Sequence, residues 1–576
     1  AAKNISNGQV FDENFLMMIA TFAAFGLGLF GDTQYSEALA VMLFYQMGEA
    51  FQDYAVGQSR ASIAEMMEIA PESAFVLNGD ETEEVDPEDV EVGSIVVVRP
   101  GDKVPLDGII IEGESFLDTS ALTGESVPRR VSEGDDIISG CVNGEGMLKV
   151  RVTKEYDDST VAKILELVEN ASARKAVLEN FVTRFARVYT PIVTIGAALL
   201  AILMPCVFNL SWAEGIERAC NFLIVSCPCA LVISVPLGFF GGIGAASRIG
   251  VLVKGSNFLE AAANLDTMVF DKTGTLTKGE FKVSSIVPTE GVDTDELLEL
   301  AAYGEVYATH PIGKSILEAA SSKDIDTSRL EDVQNVTGRG TSAKLDGKPL
   351  LVGSRKLLLE NDIKEIFEES SSELGTLTFV SYDGKYKGYI VIADTIKEDA
   401  KTSIAELKNE GVKRTVMLTG DRKKTAEAVA AGLGLDDVKY ELLPADKIEE
   451  VEELISKNKE GDSKLGYVGD GINDAPVLMR ADVGFAMGSL GSDAAIEAAD
   501  IVLMDDDLRK LPMILRIAKR TMRIVKSNIA FAIGVKVLIL ILSAFGLASM
   551  WVAVFGDVGV SIICIINSMR VLKFRQ

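Results

Sequence analysis

The stretch Val269-Phe-Asp-Lys-Thr-Gly-Thr-Leu-Thr277, VFDKTGTLT, decides how this chain is read. The run LDTMVF (265–270) reads as a buried strand, so Asp271 stands at its C-terminal end. Doubly wound sheets place their active sites at that edge. A carboxylate there can act as a nucleophile toward a phosphoryl group, giving an aspartyl-phosphate. Thr273, Gly274 and Thr275 follow in a tight turn that offers hydroxyls and backbone N–H groups to phosphoryl oxygens. Two more strand ends carry related chemistry. RTVMLT (414–419) ends on Thr419 and Gly420 within MLTGDR, and KLGYV (464–468) runs into YVGDGINDAP, which supplies Asp470, Asn473 and Asp474. Two carboxylates beside a phosphorylated aspartate form a hard-oxygen site suited to Mg²⁺. Lys447, in LLPADK, can neutralise charge that develops on the phosphoryl group. Acidic turns at strand ends are common singly; three in this order are hard to obtain by chance.

The surroundings of these motifs alternate strands with helices. VGFAM (483–487) is a further strand candidate, and DRKKTAEAVAAGLG (421–434) and PADKIEEVEELISKNKEG (444–461) read as helices with Gly near their ends. That alternation argues a parallel sheet with helices on both faces. Residues 280–390 interrupt it with strands and helices of their own and read as an inserted module. An earlier polar insertion, about 60–180, is mostly β. Its stretch SIVVVRPGDKVPLDGIIIEGES (94–115) has β-branched runs punctuated by Pro-Gly and Asp-Gly turns. The tail of that insertion, from Asp157 to Thr190, is helical by period and leads back to an apolar segment.

Bulk composition requires that charge and apolar residues be segregated. The 576 residues are 48% hydrophobic and 24% charged, with a net charge of -29. Six apolar segments lie near 15–30, 38–57, 189–210, 219–246, 526–546 and 548–568, close to the ~20 residues that a helix needs to cross a bilayer. They form three hairpins. The flanks outside the hairpin turns are rich in Lys and Arg, among them Arg60, Arg184, Arg187, Arg248, Lys254, Arg516, Lys519, Arg520, Arg523 and Lys526. The positive-inside rule therefore puts both polar insertions, about 60–180 and 250–515, in the cytoplasm. The acidic surface repels phosphate backbones and argues against a nucleic-acid partner. Six cysteines offer no disulfide framework, and no secretory signal is expected at the start.

One apolar segment contains SCPCALVIS (226–234). Proline removes a backbone donor and frees carbonyls in the preceding turn. In lipid, freed groups survive only where they line a cavity or find partners. Cys227 and Cys229 flank the break, and thiolates favour soft or borderline ions such as Zn²⁺, Cd²⁺, Pb²⁺ and Cu⁺. The plain alternative is two small apolar cysteines at a kink. The last two segments weigh against it. AIGVKVLILIL (532–542) carries Lys536 and AVFGDVGVSII (553–563) carries Asp557. Each intramembrane charge costs at least ~2.5–3.5 kcal/mol on insertion scales and is a functional candidate by default. Snorkelling of Lys536, or an interfacial Asp557 near Gly556 and Trp551, are the alternatives. Two thiolates and a carboxylate suit a divalent borderline cation, with Lys536 pairing to Asp557 once the ion has left. Glu49, in FYQMGEAFQ (44–52), is a candidate to receive the ion on its way out, or else a helix-end residue that faces water.

DKTGT, TGES, TGD and GDGINDAP occur together here, and on that set the chain resembles the P-type ATPases along essentially its whole length. Cys-Pro-Cys with a late Lys and Asp-x-Gly resembles the zinc/cadmium/lead exporter class of the heavy-metal branch, type IB. Copper-class members show Tyr-Asn in the fifth shared segment and Met-x-x-Ser in the sixth, and neither is present. Cobalt-class members usually have Ser at the first cysteine position, here Cys227. The resemblance implies an α-helical transmembrane bundle and a cytoplasmic β-rich actuator domain. It also implies an α/β haloacid-dehalogenase-like phosphorylation domain with an inserted α/β nucleotide-binding domain. The expected division is helices 1–2 in 1–60, actuator in 61–180, helices 3–4 with the Cys-Pro-Cys motif in 181–256, phosphorylation domain in 257–279 and 391–515, nucleotide-binding domain in 280–390, and helices 5–6 in 516–576. Members of the branch usually have two further N-terminal helices and a metal-binding domain, and this chain is expected to lack both.

The same resemblance implies site roles. Asp271 is expected to be phosphorylated, with Thr273, Thr419 and Lys447 as its catalytic neighbours and Asp470 and Asp474 completing the Mg²⁺ and phosphate site. Glu125, in DTSALTGESVP, is expected to position the water that hydrolyses the phosphoenzyme. Asp394 and Lys397, in IADTIKEDA, lie at the hinge that re-enters the phosphorylation domain. The single histidine, His310 in GEVYATHPIGKSI, is expected to hold ATP together with Glu305, Gly338, Gly340 and Gly353. Some members have Asn after the last glycine where this chain has Ser354. The function implied is ATP-driven export of Zn²⁺, Cd²⁺ or Pb²⁺ by a monomer in the plasma membrane of a prokaryote. The alternatives are a pump for Cu⁺ or Co²⁺, a membrane-tethered phosphatase of the same fold, or a non-pumping metal sensor.

Overall fold

The strand Leu265–Asp271 is the hinge of the architecture, because it lies between two parallel neighbours that come from later in the chain. The computed structural model describes residues 71–119, 128–163, 176–208, 211–225, 229–308, 310–336, 339–363, 375–457, 463–470, 474–487, 497–545 and 555–572, except 72, 80 and 324, with a few isolated positions elsewhere. The apolar segments near 15–30 and 38–57 fall almost wholly outside the described residues, and so does Glu49.

A seven-stranded sheet runs in the order Val251–Val253, Ile501–Leu503, Val483–Ala486, Lys464–Gly469, Leu265–Asp271, Arg414–Leu418 and Asp437–Lys439. All pairs are parallel except the first. Each of the four expected strands is present, within a residue or two of its expected bounds. The order places later strands on both sides of Leu265–Asp271, so the chain reverses direction across the sheet there, which is where doubly wound sheets open a crevice. Parallel sheets are covered on both faces, and the side chains show this. Met268 and Phe270 join a core with Ile404, Leu407, Ala426 and Leu511. Val269, on the opposite face, joins Val416, Leu418, Val451 and Leu478. The helix Lys423–Leu433 ends on Gly434 at φ 75°, a left-handed cap that glycine adopts without strain.

Two long strands leave this sheet directly after the DKTGTL turn. Thr277–Pro288 pairs antiparallel with Lys385–Ile396, from Thr277 opposite Ile396 to Pro288 opposite Gly388. This ladder crosses positions 280 and 390 and carries a second, six-stranded antiparallel sheet, order Thr277–Pro288, Lys385–Ile396, Thr376–Tyr382, Lys348–Gly353, Gly340–Leu345, Leu330–Val336. The helices Thr294–Glu305 and Pro311–Ala319 pack on it through Leu297, Ala301 and Ile316. The earlier insertion contains a six-stranded and a three-stranded sheet, from Ala74–Asn78 to Leu148–Val152, as its β-branched runs lead one to expect.

Among the described residues, three helices contain spans long and apolar enough to cross a membrane: Pro191–Phe208, Ala230–Ser247 and Lys510–Ser543, with Phe555–Met569 a shorter apolar helix. Ile192, Ile195, Leu199 and Ile202 form an exposed stripe on the first of these. Exposed apolar surface of that extent is expected where lipid is the solvent. The described parts of the expected 219–246 segment lie in the helices Trp212–Val225 and Cys229–Ser247. Residues 226–228, between them, lie outside the described residues. The helix Lys510–Ala544 has 35 residues, roughly 50 Å at 1.5 Å per residue. Its first turns belong to the core of the parallel sheet and its last turns to the membrane bundle.

Small residues on Cys229–Ser247 let that long helix approach closely. A Cβ added to Gly242 would meet Leu259 Cδ2 at 2.5 Å and Thr521 Oγ1 at 2.6 Å, and one on Gly238 would meet Val525 Cγ2 at 2.7 Å. Gly534 has nothing within 4 Å of its added Cβ. Gly242→Val is therefore expected to destabilise the detergent-solubilised protein by about 1–3 kcal/mol, the usual range for overpacking. Gly534→Ala leaves the thermal midpoint unchanged or slightly raised. Paired thermal-unfolding curves of the two variants test this.

Candidate active site and intramembrane ion pair

The parallel register brings three strand ends to one edge. Phe270 lies opposite Val468 and Asp271 opposite Leu418, so Asp271, Thr419 and Asp470 emerge together. Asp271 is buried, and its Oδ1 accepts a hydrogen bond from Lys447 Nζ at 2.6 Å. The same ammonium donates to Asp474 Oδ1 at 2.9 Å. One cation thus stands between two carboxylates. Burial and the neighbouring Asp474 push the Asp271 carboxyl up to about 6, while Lys447 opposes the rise. Burial disfavours the Lys447 charge, but Asp271 and Asp474 outweigh it and leave the ammonium above its ordinary value.

The turn after Asp271 is shaped by Gly274. Its φ is +74°, and a Cβ there would sit 2.9 Å from Asp470 Oδ2. Glycine is required on both counts, conformation and space. Thr273 is exposed, and Thr275 is buried with no hydrogen-bond partner for its hydroxyl among the described residues. Thr419 is buried, and its hydroxyl accepts from the Asp421 amide at 3.1 Å. Asp271, Thr419, Lys447, Asp470 and Asp474 are therefore brought to one place, with Thr273 in the adjoining turn.

Sequence reasoning missed the contacts of two lysines that tie this edge together. Lys272 Nζ pairs with Asp421 at 2.7 Å and links the DKTGT turn to the TGD turn. Lys397, placed at the hinge on sequence grounds, does more than turn the chain. Its Nζ donates to the Gly274 and Asp506 carbonyls, both at 3.2 Å, and burial holds its pKa down. Asp394 accepts from the Thr277 hydroxyl at the base of the two-strand ladder.

The antiparallel sheet and its helices enclose a cavity of about 430 Å³ lined by Glu305, His310, Arg339, Gly340, Gly353 and Ser354, among others. Glu305 is 2% exposed, and its Oε2 lies 3.3 Å from His310 Nε2. Burial raises the Glu305 carboxyl pKa, and His310 partly offsets this. His310 Nδ1 accepts from the Gly313 amide at 3.0 Å as a helix N-cap, so the imidazole proton is assigned to Nε2, facing Glu305. Gly338 lies outside the described residues.

In the bundle, Lys536 is 6% and Asp557 3% exposed, and Lys536 Nζ lies 2.8 Å from Asp557 Oδ1. Neither snorkels to an interface. Lys536 also donates to the Val225 carbonyl at 3.2 Å, two residues before Cys227 in the chain. Cys227 lies outside the described residues. Cys229 opens its helix, and its side chain is likewise outside them. Glu125 is outside as well. A polar stripe unnoticed in the sequence continues from Asp557 through Ser561, Cys564 and Ser568, spaced 0, +4, +7 and +11 along one helical face. Asn528 Nδ2 donates to the Cys564 carbonyl and to Ser568 Oγ, and Ser568 Oγ donates to the Ser234 carbonyl. The periodicity of polar residues within an apolar segment was the available signal.

Residues 68–169 match the P-type ATPase actuator domain, and residues 265–482 match the haloacid dehalogenase-like hydrolases. The chain is 53% identical over 577 residues to the "Cadmium, zinc and cobalt-transporting ATPase" of Bacillus subtilis, covering all of this chain and 81% of that protein. It is 48% identical over 574 residues to the "Zinc-transporting ATPase" of Synechocystis, covering 100% of this chain and 78% of that one. Among solved structures, a zinc-transporting PIB-type ATPase crystallised in an E2.Pi state is similar with a TM-score of 0.63 and 35% identity, over 99% of this chain and 92% of the other.

On the aspartyl-phosphate reading, only ionised Asp271 attacks. With its carboxyl held at about 6, ATP-dependent phosphorylation is expected to fall about tenfold from pH 7 to pH 5. Lys447→Met removes the stabilising cation and moves this acid limb to higher pH. Acid-quenched phosphoprotein measured across that range is the check, and a flat profile contradicts the assignment.

Proposed function

The chain belongs to the heavy-metal-transporting, type IB branch of the P-type ATPases, and on that premise we propose that it exports Zn²⁺ or Cd²⁺ through a phosphorylated Asp271. Relatives named for cobalt as well keep Co²⁺ among the cargoes, and Pb²⁺ belongs with them on ligand chemistry. The observation that carries the reading is the buried Lys536–Asp557 pair, whose ammonium also reaches the Val225 carbonyl. A tethered phosphatase needs no charges in a bilayer, where each is costly. The pump acts as a monomer in the plasma membrane of a prokaryote, with its large domains in the cytoplasm.

Metal arriving from the cytoplasm is held by the thiolates of Cys227 and Cys229 and by the Asp557 carboxylate. Binding releases Lys536 from Asp557, because a divalent ion outcompetes an ammonium for a carboxylate when sulfur ligands assist. ATP occupies the cavity beside Glu305 and His310, with Gly338, Gly340 and Gly353 allowing close backbone approach. An Asp271 oxygen attacks the γ-phosphorus, the bond to the β-phosphate oxygen breaks, and ADP leaves. Lys447, already 2.6 Å from Asp271, neutralises charge on the transferring group, and Thr273 and Thr419 orient it. Glu125 then directs a water to the acyl phosphate and inorganic phosphate departs. As the site opens outward Lys536 returns to Asp557, which expels the metal toward Glu49. The coupling is a population shift between states that differ in metal affinity.

The chemistry of the donors at the strand edge suits Mg²⁺, although among the described residues no three carboxylates converge closely enough to hold an ion as they stand. Asp271 and Asp474 share one ammonium, and Asp470 lies beside Gly274. These are hard carboxylate oxygens with more negative than positive charge. Asp271, Asp470 and Asp474 would hold the ion, which when bound supplies charge neutralisation for the phosphoryl group.

ATPase activity of the purified protein in lipid, measured across Zn²⁺, Cd²⁺, Pb²⁺, Co²⁺ and Cu⁺, tests the function. Stimulation by Zn²⁺ and Cd²⁺ is expected, falling at least about tenfold in Cys227→Ala and in Asp557→Ala, as for the loss of a metal ligand. Stimulation by Cu⁺ alone overturns the cargo assignment, and activity indifferent to every metal overturns the pump.

A further inference from the structure

We propose that Arg339 is the cation that reads the phosphate end of the nucleotide, and so makes the cavity beside Glu305 and His310 prefer ATP to adenosine. The inference rests on the nucleotide reading of that cavity. The shared motif is Gly-x-Gly, here Gly338-Arg339-Gly340, and the motif leaves its middle position open.

The cavity is large enough for a nucleoside and part of its phosphate chain, at about 430 Å³. Its acidic side is Glu305, buried and facing His310. Such a group suits an amine or imine edge and repels phosphate. The chain as a whole carries a net charge of -29, so a polyanionic ligand meets an unfavourable long-range field. Among the described residues that line the cavity, Arg339 is the only Lys or Arg.

Its setting is built rather than incidental. The Arg339 amide donates to the Val336 carbonyl at 2.9 Å, and the Arg339 carbonyl accepts from the Ser354 amide at 2.6 Å. The root of the side chain is therefore fixed between two strands. Beside it, Gly340 and Gly353 approach so closely that a Cβ on Gly340 would fall 2.5 Å from the Gly353 Cα. That part of the wall is bare backbone, with no side chain between the arginine and a ligand lying on the glycines. Arg339 Nη1 donates to Glu360, at the end of the helix Arg355–Glu360. A guanidinium has five N–H donors, so this ion pair with a part-exposed carboxylate leaves donors for phosphate oxygens, which guanidinium geometry matches.

Competition of ATP, ADP and adenosine against a fluorescent ATP analogue on the full chain in detergent tests the proposal. Arg339→Ala is expected to weaken ATP about tenfold, equivalent to about 1.4 kcal/mol. It should weaken ADP less and leave adenosine unchanged, and Arg339→Lys should recover part of the loss. Because Arg339 is partly exposed, unchanged adenosine binding also reports an intact fold. His310→Ala separates the two levels of the argument. If His310→Ala weakens all three ligands while Arg339→Ala weakens none, the cavity binds nucleotide but Arg339 does not read phosphate. If neither variant alters any ligand, the nucleotide assignment of the cavity fails and the role of Arg339 fails with it.

Discussion

An ammonium inside an apolar bundle must find a partner, and that requirement organises the membrane half of this protein. Lys536 meets it with the Asp557 carboxylate and the Val225 carbonyl. That carbonyl lies three residues before Pro228. The lysine brings a charge that lipid cannot solvate, and a carboxylate and a carbonyl together satisfy it. In the proposed mechanism a divalent, sulfur-seeking cation takes the carboxylate and leaves the ammonium displaced.

The two chemical centres are joined by covalent and hydrogen-bonded structure with little slack. The turn after Asp271 is gripped at the Gly274 carbonyl by Lys397, which also grips the Asp506 carbonyl. Asp505 pairs with Lys510, and Asp399 accepts from the Leu508 amide at 2.8 Å, where the long helix begins. That helix runs without interruption to Lys536. Arg516 holds Glu410 from the helix flank. A change in the turn after Asp271 therefore has a short physical route to the Lys536 ammonium. The route consists of named contacts; that both sites bias one two-state element is part of the proposed mechanism rather than a consequence of contiguity.

The parallel sheet was legible in the sequence because its strands are short, apolar on both faces and bounded by glycine or acidic turns, and because their order brings three turns to one edge. The intramembrane Lys536 and Asp557 were legible for the opposite reason, as exceptions to an apolar background. What sequence did not yield were contacts between groups distant in the chain. The Lys397 bridge joins residues more than one hundred positions apart through backbone carbonyls, which carry no residue-specific signal. The Lys272–Asp421 pair likewise joins two charges that are unremarkable where they stand in sequence. The stripe Asp557–Ser561–Cys564–Ser568 was readable in principle, but small polar residues in an apolar helix are common enough to be passed over until Asn528 and Ser234 are seen to complete it.

In the proposed phosphoryl transfer, charge balance at the strand edge explains why a single lysine suffices between Asp271 and Asp474. Asp271 and Asp474 bring two formal negative charges, and Lys447 one positive, in a setting where burial already raises the Asp271 carboxyl to about 6. The site is therefore under-neutralised, and ionised Asp271 is more basic than a free aspartate, which makes it a better nucleophile. A second fixed cation at the same distance would lower the Asp271 pKa and its nucleophilicity together. It would also bind the product phosphate more tightly and slow its release. On the proposed mechanism, leaving the balance to a dissociable divalent cation would keep Asp271 reactive only when there is something to react with. The membrane pair differs, because among the described residues one ammonium, Lys536, meets one carboxylate, Asp557.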